Sequence, residues 1–222
     1  MEVRVELAKS PTEQRVLLRN VSWETYERLI AEREERPVPR FFYDRGVLEI
    51  VSPSKGHESV SRVVALLVEE LAVELDLDVE SAGSTTFKRE DITRGFEPDE
   101  CFYFHNIERV RGEEDIDLDA GDPPPDLVFE VDATNPSLNT LPIFAQVGVA
   151  EVWRYADGKM EMFGLRGEEL HYQAVTESTV LPPLTSDVLA RFVEEGLTTE
   201  RPAWVRGVRR WARGRARRPE TG

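Results

Sequence analysis

The chain has 222 residues, 40% hydrophobic and 32% charged, with a net charge of −15 at pH 7. That length and balance suit one domain with its own core, and the lone Cys101 excludes an internal disulfide and any cysteine-based zinc cluster. An acidic protein repels a polyanion unless its charge is uneven, and here eight arginines fall between Arg201 and Arg218, leaving residues 1–200 near −22 and the remainder near +7. With neither a signal peptide nor a transmembrane run, a soluble cytoplasmic protein is expected. The expected organisation is a single domain over residues 1–198, with its core at about 40–175, followed by a basic Arg/Trp-containing tail over 199–222.

Taken in chain order, Arg15 to Asn20 reads as a short strand. Ser22 then caps a helix carrying Glu24 in its first turn and Tyr26, Leu29 and Ile30 along one side. Phe41 to Val51, broken by Asp44-Arg45-Gly46, predicts a hairpin. From His57 to Leu75 the apolar residues Val60, Val63, Val64, Leu67, Val68, Leu71 and Leu75 follow helical spacing. Strands are expected near Val79–Ala82, Thr85–Arg89, Asp99–Phe104 and Leu127–Ala133, with an exposed acidic loop from Asn106 to Pro125. A short helix over Leu138–Val147, a strand over Glu151–Tyr155, a hairpin over Lys159–Leu165 and Glu169–Val175, and a helix over Asp187–Glu195 complete the body. The order is that of an α/β domain. The tail reads either as a phosphate-binding arm or, the favoured alternative, as a terminal helix laying Trp204, Val208 and Trp211 on the body.

The acids of one strand carry the functional signal. In Leu127 to Asp132 the period of two sets Glu130 and Asp132 on the same face. Asp99 opens another strand, early enough to be a neighbour. Clustered carboxylates repel unless a cation or a proton is shared, and carboxylates gathered at strand ends suit a hard cation, Mg²⁺ or Mn²⁺, with water and phosphate completing its shell.

The segments Trp23-Glu24-Thr25-Tyr26, Gly46 to Pro53, Gly83-Ser84-Thr85-Thr86, Glu97 to Tyr103, Asp126 to Asp132 and Gly148 to Tyr155, in that order, resemble the Uma-two family of restriction-endonuclease-like proteins. The resemblance implies a PD-(D/E)XK fold, a central mixed β-sheet flanked by helices, with an N-terminal helix and hairpin and a C-terminal hairpin and helix added. It implies a metal-dependent endodeoxyribonuclease in which Asp99 and Glu130 ligate the metal, the Val131 carbonyl is a third ligand and Asp132 is a further catalytic acid. Asp132 stands where the general pattern has its lysine. Related chains carry a lysine at the start of the following helix, where this one has Thr140.

Lys88 and Lys55 are the candidate replacements for that lysine. His57 is a further catalytic candidate at the start of the long helix, alongside Glu58 and Glu49. His105, His171 and Cys101 show no ligand spacing. No phosphate loop, nucleophile elbow or His-Glu-x-x-His pair occurs. DNA is the expected substrate, without membrane contact, and a homodimer would supply the two sites that cutting a duplex requires. The alternative is a weakened nuclease fold used for binding or assembly.

Overall fold

The computed structural model of the chain describes residues 5–9, 13–33, 38–131 and 138–216. Two six-stranded sheets carry the architecture. The first is antiparallel and joins β1 (Val5–Lys9), β2 (Gln14–Arg19), β3 (Arg40–Asp44), β4 (Val47–Ser52), β6 (Phe87–Arg89) and β7 (Arg94–Phe96) in the order β1-β2-β4-β3-β7-β6. The second joins β5 (Glu80–Ser81), β8 (Glu100–Tyr103), β9 (Leu127–Val131), β10 (Glu151–Ala156), β11 (Lys159–Arg166) and β12 (His171–Val175) in the order β12-β11-β10-β9-β8-β5. It is mixed, because β9 and β10 run parallel while its other pairs are antiparallel. The mixed sheet is the one expected from sequence; the antiparallel partner sheet adds to it. Strands β1 and β7 had no signal strong enough to be expected.

Local chemistry sets the elements. In helix α1 (Trp23–Arg33) Ser22 Oγ accepts the Thr25 amide at 3.2 Å, and in α2 (Lys55–Leu75) Ser54 Oγ accepts the His57 amide at 3.1 Å; each satisfies an otherwise orphaned N–H. The β3–β4 turn needs two left-handed residues, and Arg45 (φ 46°) and Gly46 (φ 93°) adopt them. The stretch Asn106–Pro125 is not simply an exposed loop. It contains the short helix α3 (Ile107–Val110), and Ile107, Val110 and Leu118 are buried in a core with Tyr103 and Val128.

Alternation along β9 divides the interior. Leu127 and Phe129 face a core formed with α2, α5 (Ser186–Thr198) and α6 (Arg201–Ala216), while Val128 faces one shared with the first sheet and α4 (Leu141–Val147). Even-numbered Glu130 therefore points between the sheets, and Asp99, in phase with Cys101 and Tyr103, points the same way. Residues 201–216 take the helical alternative. Trp204 Nε1 donates to the Phe192 carbonyl at 2.8 Å, and Val208 and Ala212 are fully buried. Arg209 pairs with Glu70, and Arg213 with Glu74 at 2.6 Å, so the arginines lie about 20 Å along α2 from His57. None of the described helices is long and apolar enough to cross a membrane.

Candidate active site

The β8–β9 pairing sets Glu100 opposite Phe129, which carried on by one residue brings Asp99 beside Glu130. Asp99 Oδ2 accepts the Val131 amide at 2.6 Å, and the Asp99 amide reaches Glu130 Oε1 at 3.4 Å. The parallel β9–β10 register places Arg154 next to Glu130, and the β10–β11 register places Glu161 next to Arg154. Asp99, Glu130, Arg154 and Glu161 thus form a row across four strands, two acids followed by a cation and a further acid, with Arg154 donating to Glu161 at 2.7 Å.

The first sheet and α2 bring the cations. Arg15 of β2 and Arg40 of β3 both pair with Val51 of the intervening β4, which sets them on one face. Arg40 Nη1 donates to Asp99 Oδ1, and Nη2 donates to Glu58 at 2.7 Å. His57, in the first turn of α2, holds Asp99 Oδ1 through Nε2 at 2.7 Å and Glu13 through Nδ1 at 2.8 Å. Arg15 closes the chain, pairing with Glu13 at 2.5 Å and Glu49 at 3.2 Å.

These contacts set the charge states. Burial disfavours the His57 cation, but hydrogen bonds to Asp99 and Glu13 outweigh it and raise His57 to about 9. Burial likewise opposes ionisation of Asp99, yet the His57 hydrogen bond and the His57 and Arg40 charges hold it below the usual carboxylate range. Glu130 is pushed well above that range by burial and then by the Asp99 charge. On the cleft wall, burial raises Glu100 to about 7.

The cleft outside Asp99 has a volume of about 460 Å³ and is lined by Arg40, Glu58, Arg62, Asp99 and Glu100, with Gly83 and Ser84 at its rim. A smaller hollow beside Glu130 is lined by Arg15, Val131, Thr140 and Arg154. Two acids of adjacent strands and a strand carbonyl are hard oxygen donors, so their chemistry fits Mg²⁺ or Mn²⁺. Among the described residues, no three His, Cys, Asp or Glu side chains gather as a ready ligand set. Asp132 lies outside the described residues.

The structure thus brings Asp99, Glu130, Val131, His57 and Glu58 together. Glu49 joins through Arg15. Lys88 is elsewhere, pairing with Glu27 of α1 at 2.7 Å, and Lys55 is exposed at the start of α2. Cys101 is buried, its thiol on the Gly83 carbonyl at 3.3 Å. Sequence reasoning missed Arg40, Arg15, Glu13 and Arg154. A charge heading or interrupting an aromatic or apolar strand, as at Arg40-Phe41-Phe42-Tyr43 and Val152-Trp153-Arg154, was the available signal.

Comparison with known proteins fits this geometry. A crystal structure described as a putative nuclease belonging to DUF820, from Anabaena variabilis, is 13% identical; the match covers 78% of this chain and 99% of that one, with a TM-score of 0.52. The likeness is one of fold. Comparison with curated proteins returns no match. The family described as "Uma2: Putative restriction endonuclease" matches residues 23–198. The chain belongs to the Uma2 family.

Proposed function

We propose that the cleft hydrolyses phosphodiester bonds of DNA, with a divalent cation, Mg²⁺ or Mn²⁺, held by Asp99, Glu130 and the Val131 carbonyl. The observation that carries this reading is the β8–β9 register, which seats Glu130 beside Asp99, itself on the wall of an open cleft. Membership of a family described as restriction endonucleases supports it. When bound, the cation acidifies an attacking water and polarises the phosphoryl oxygen.

The chain's own groups do the rest. His57 and the Val131 amide fix both Asp99 oxygens, so the carboxylate cannot rotate away. Arg40 and Arg62 give the cleft cations for a phosphate in a molecule otherwise acidic. Asp132, two positions after Glu130 in the sequence, is assigned as an auxiliary acid. Thr140 offers no charge at the lysine position. Loss of one preorganised electrostatic group lowers a rate by about 10² to 10³, so slow turnover is expected. Cutting both strands requires two clefts, which a homodimer supplies.

A second reading, a nuclease fold reused for binding, is favoured by one observation: Asp99 Oδ1 is taken by both Arg40 and His57. Nicking of supercoiled plasmid at low salt, with Mg²⁺, Mn²⁺ or chelator, separates the two. Metal-dependent nicking that disappears in Glu130→Ala and Asp99→Ala is the expected result. Absence of nicking by a folded wild-type protein, with no Mn²⁺ uptake, leaves the binding reading.

A further inference from the structure

The contacts of Arg40 do not fit a purely structural role. Two donors, Arg40 Nη1 and His57 Nε2, converge on the single oxygen Asp99 Oδ1 and lie 3.4 Å from each other. Crowding a guanidinium against an imidazole costs energy whenever both carry charge, even though the shared carboxylate oxygen has a lone pair for each. Meanwhile Arg40 Nε is buried with no hydrogen-bond partner among the described residues. An unsatisfied buried N–H costs about 1–3 kcal/mol, and persistence of such a group points to a partner supplied from outside.

The other end of the guanidinium has a different character. Nη2 rests on Glu58, whose side chain is 47% exposed and lines the same cleft. Arg40 therefore spans a buried acid and an open one. It can release the first while keeping the second. His57 stays on Asp99 in either case, held from behind by Glu13 at 2.8 Å. The planar fork of an arginine also matches two phosphate oxygens better than a lysine ammonium does.

We propose that Arg40 is the resident counter-cation of the Asp99–Glu130 pair and a phosphate-binding residue of the cleft, yielding Asp99 to the divalent cation and offering its freed N–H groups to the phosphodiester. This rests on the metal-site reading above. It assigns the positive charge that Thr140 lacks to a residue on the opposite sheet. It also makes Arg40 a competitor of the metal, so its removal strengthens metal binding while weakening catalysis. A merely structural arginine gives the opposite sign, because losing it disorganises the acids.

Calorimetric titration of Mn²⁺ into the full-length wild type, Arg40→Met and Glu58→Gln tests this, with circular dichroism confirming fold. Arg40→Met is expected to bind Mn²⁺ at least about fivefold more tightly, roughly 1 kcal/mol, and to nick plasmid more slowly at saturating metal. Glu58→Gln, which removes the open anchor and leaves the guanidinium on Asp99, is expected to bind about threefold more weakly. Equal or weaker binding by folded Arg40→Met overturns the proposal. If Arg40→Met does not fold, Glu58→Gln decides, and unchanged affinity there overturns it. Failure of wild type and both folded variants to take up Mn²⁺ instead removes the metal site itself, and the proposal with it.

Discussion

Two sets of ion pairs, each joining arginines to carboxylates, lie at opposite ends of α2. At its N-terminus His57 and Glu58 join Arg40, Asp99, Glu13 and Arg15 in a connected chain, in which Asp99 and His57 are only 5% and 6% exposed. At its C-terminal end Glu70 and Glu74 meet Arg209 and Arg213 of α6, with the Arg213 side chain 61% exposed. Water screens the second set, and surface pairs of this kind contribute little. Apart from Glu58, the first set is removed from water, so each member fixes the charge state of its neighbours and breaking one contact strands the others. Burial, not charge count, separates the candidate site from the ornamented surface. The arginine-rich helix that dominates the sequence is the quieter of the two.

The contrast can be broken at its strong end first. Asp99→Ala leaves Arg40 and His57 without their shared acceptor, and is expected to destabilise the fold by about 3 kcal/mol in urea. That is the lower end for a broken buried pair, because Glu130 simultaneously loses a like-charged neighbour. A loss below about 1 kcal/mol would show that the network is not buried as a unit.

The same network predicts a pH dependence. His57 titrates near 6.5 when unfolded and about 9 when folded, so the folded state binds its proton more tightly. The resulting stabilisation, about 3 kcal/mol at 1.36 kcal/mol per pKa unit, is fully present below pH 6.5 and is lost as pH rises through 9. Urea midpoints for wild type should fall over that window, and those of His57→Asn should fall less. Parallel profiles for the two proteins would refute the assignment.

Gly95→Ala probes packing without charge. A Cβ there would lie 2.1 Å from the buried Tyr26 hydroxyl, where α1 rests on the first sheet, and overpacking of this kind costs about 1–3 kcal/mol. The smallest effect is expected at the weak end. Arg213→Ala should leave the urea midpoint unresolved from wild type, and added salt should change neither.

Most elements were legible because their signals are local. The cap at Ser22, the Arg45-Gly46 turn and the helical spacing of apolar residues in α2 each act within a few residues. Asp99 and Glu130 were legible as acids of two strands, and the β8–β9 register unites them. Their counter-cations were not, since the meeting of Arg40 and Arg15 with these acids depends on how two sheets pack, a long-range fact with no short-range signature. Residues 94–96 escaped notice for a related reason: a three-residue strand containing glycine carries no periodicity, and the pairing of Phe96 with Phe42 and Phe87 defines it only once the sheet has formed. Among the acids, Glu97 illustrates the limit. Two residues before Asp99 in the same motif, it proves to be a buried structural anchor holding Arg33 and the Phe41 amide.

Paired double-mutant cycles in urea at pH 7 ask whether the cleft charges form one coupled unit while those on α6 do not. One cycle combines Arg40→Met with Asp99→Asn, the other Arg213→Ala with Glu74→Ala. A coupling of about 2 kcal/mol or more is expected in the first, within the range for residues sharing a buried network, and none resolved in the second. Coupling in the first cycle below about 0.5 kcal/mol, the additivity expected of independent sites, would contradict it.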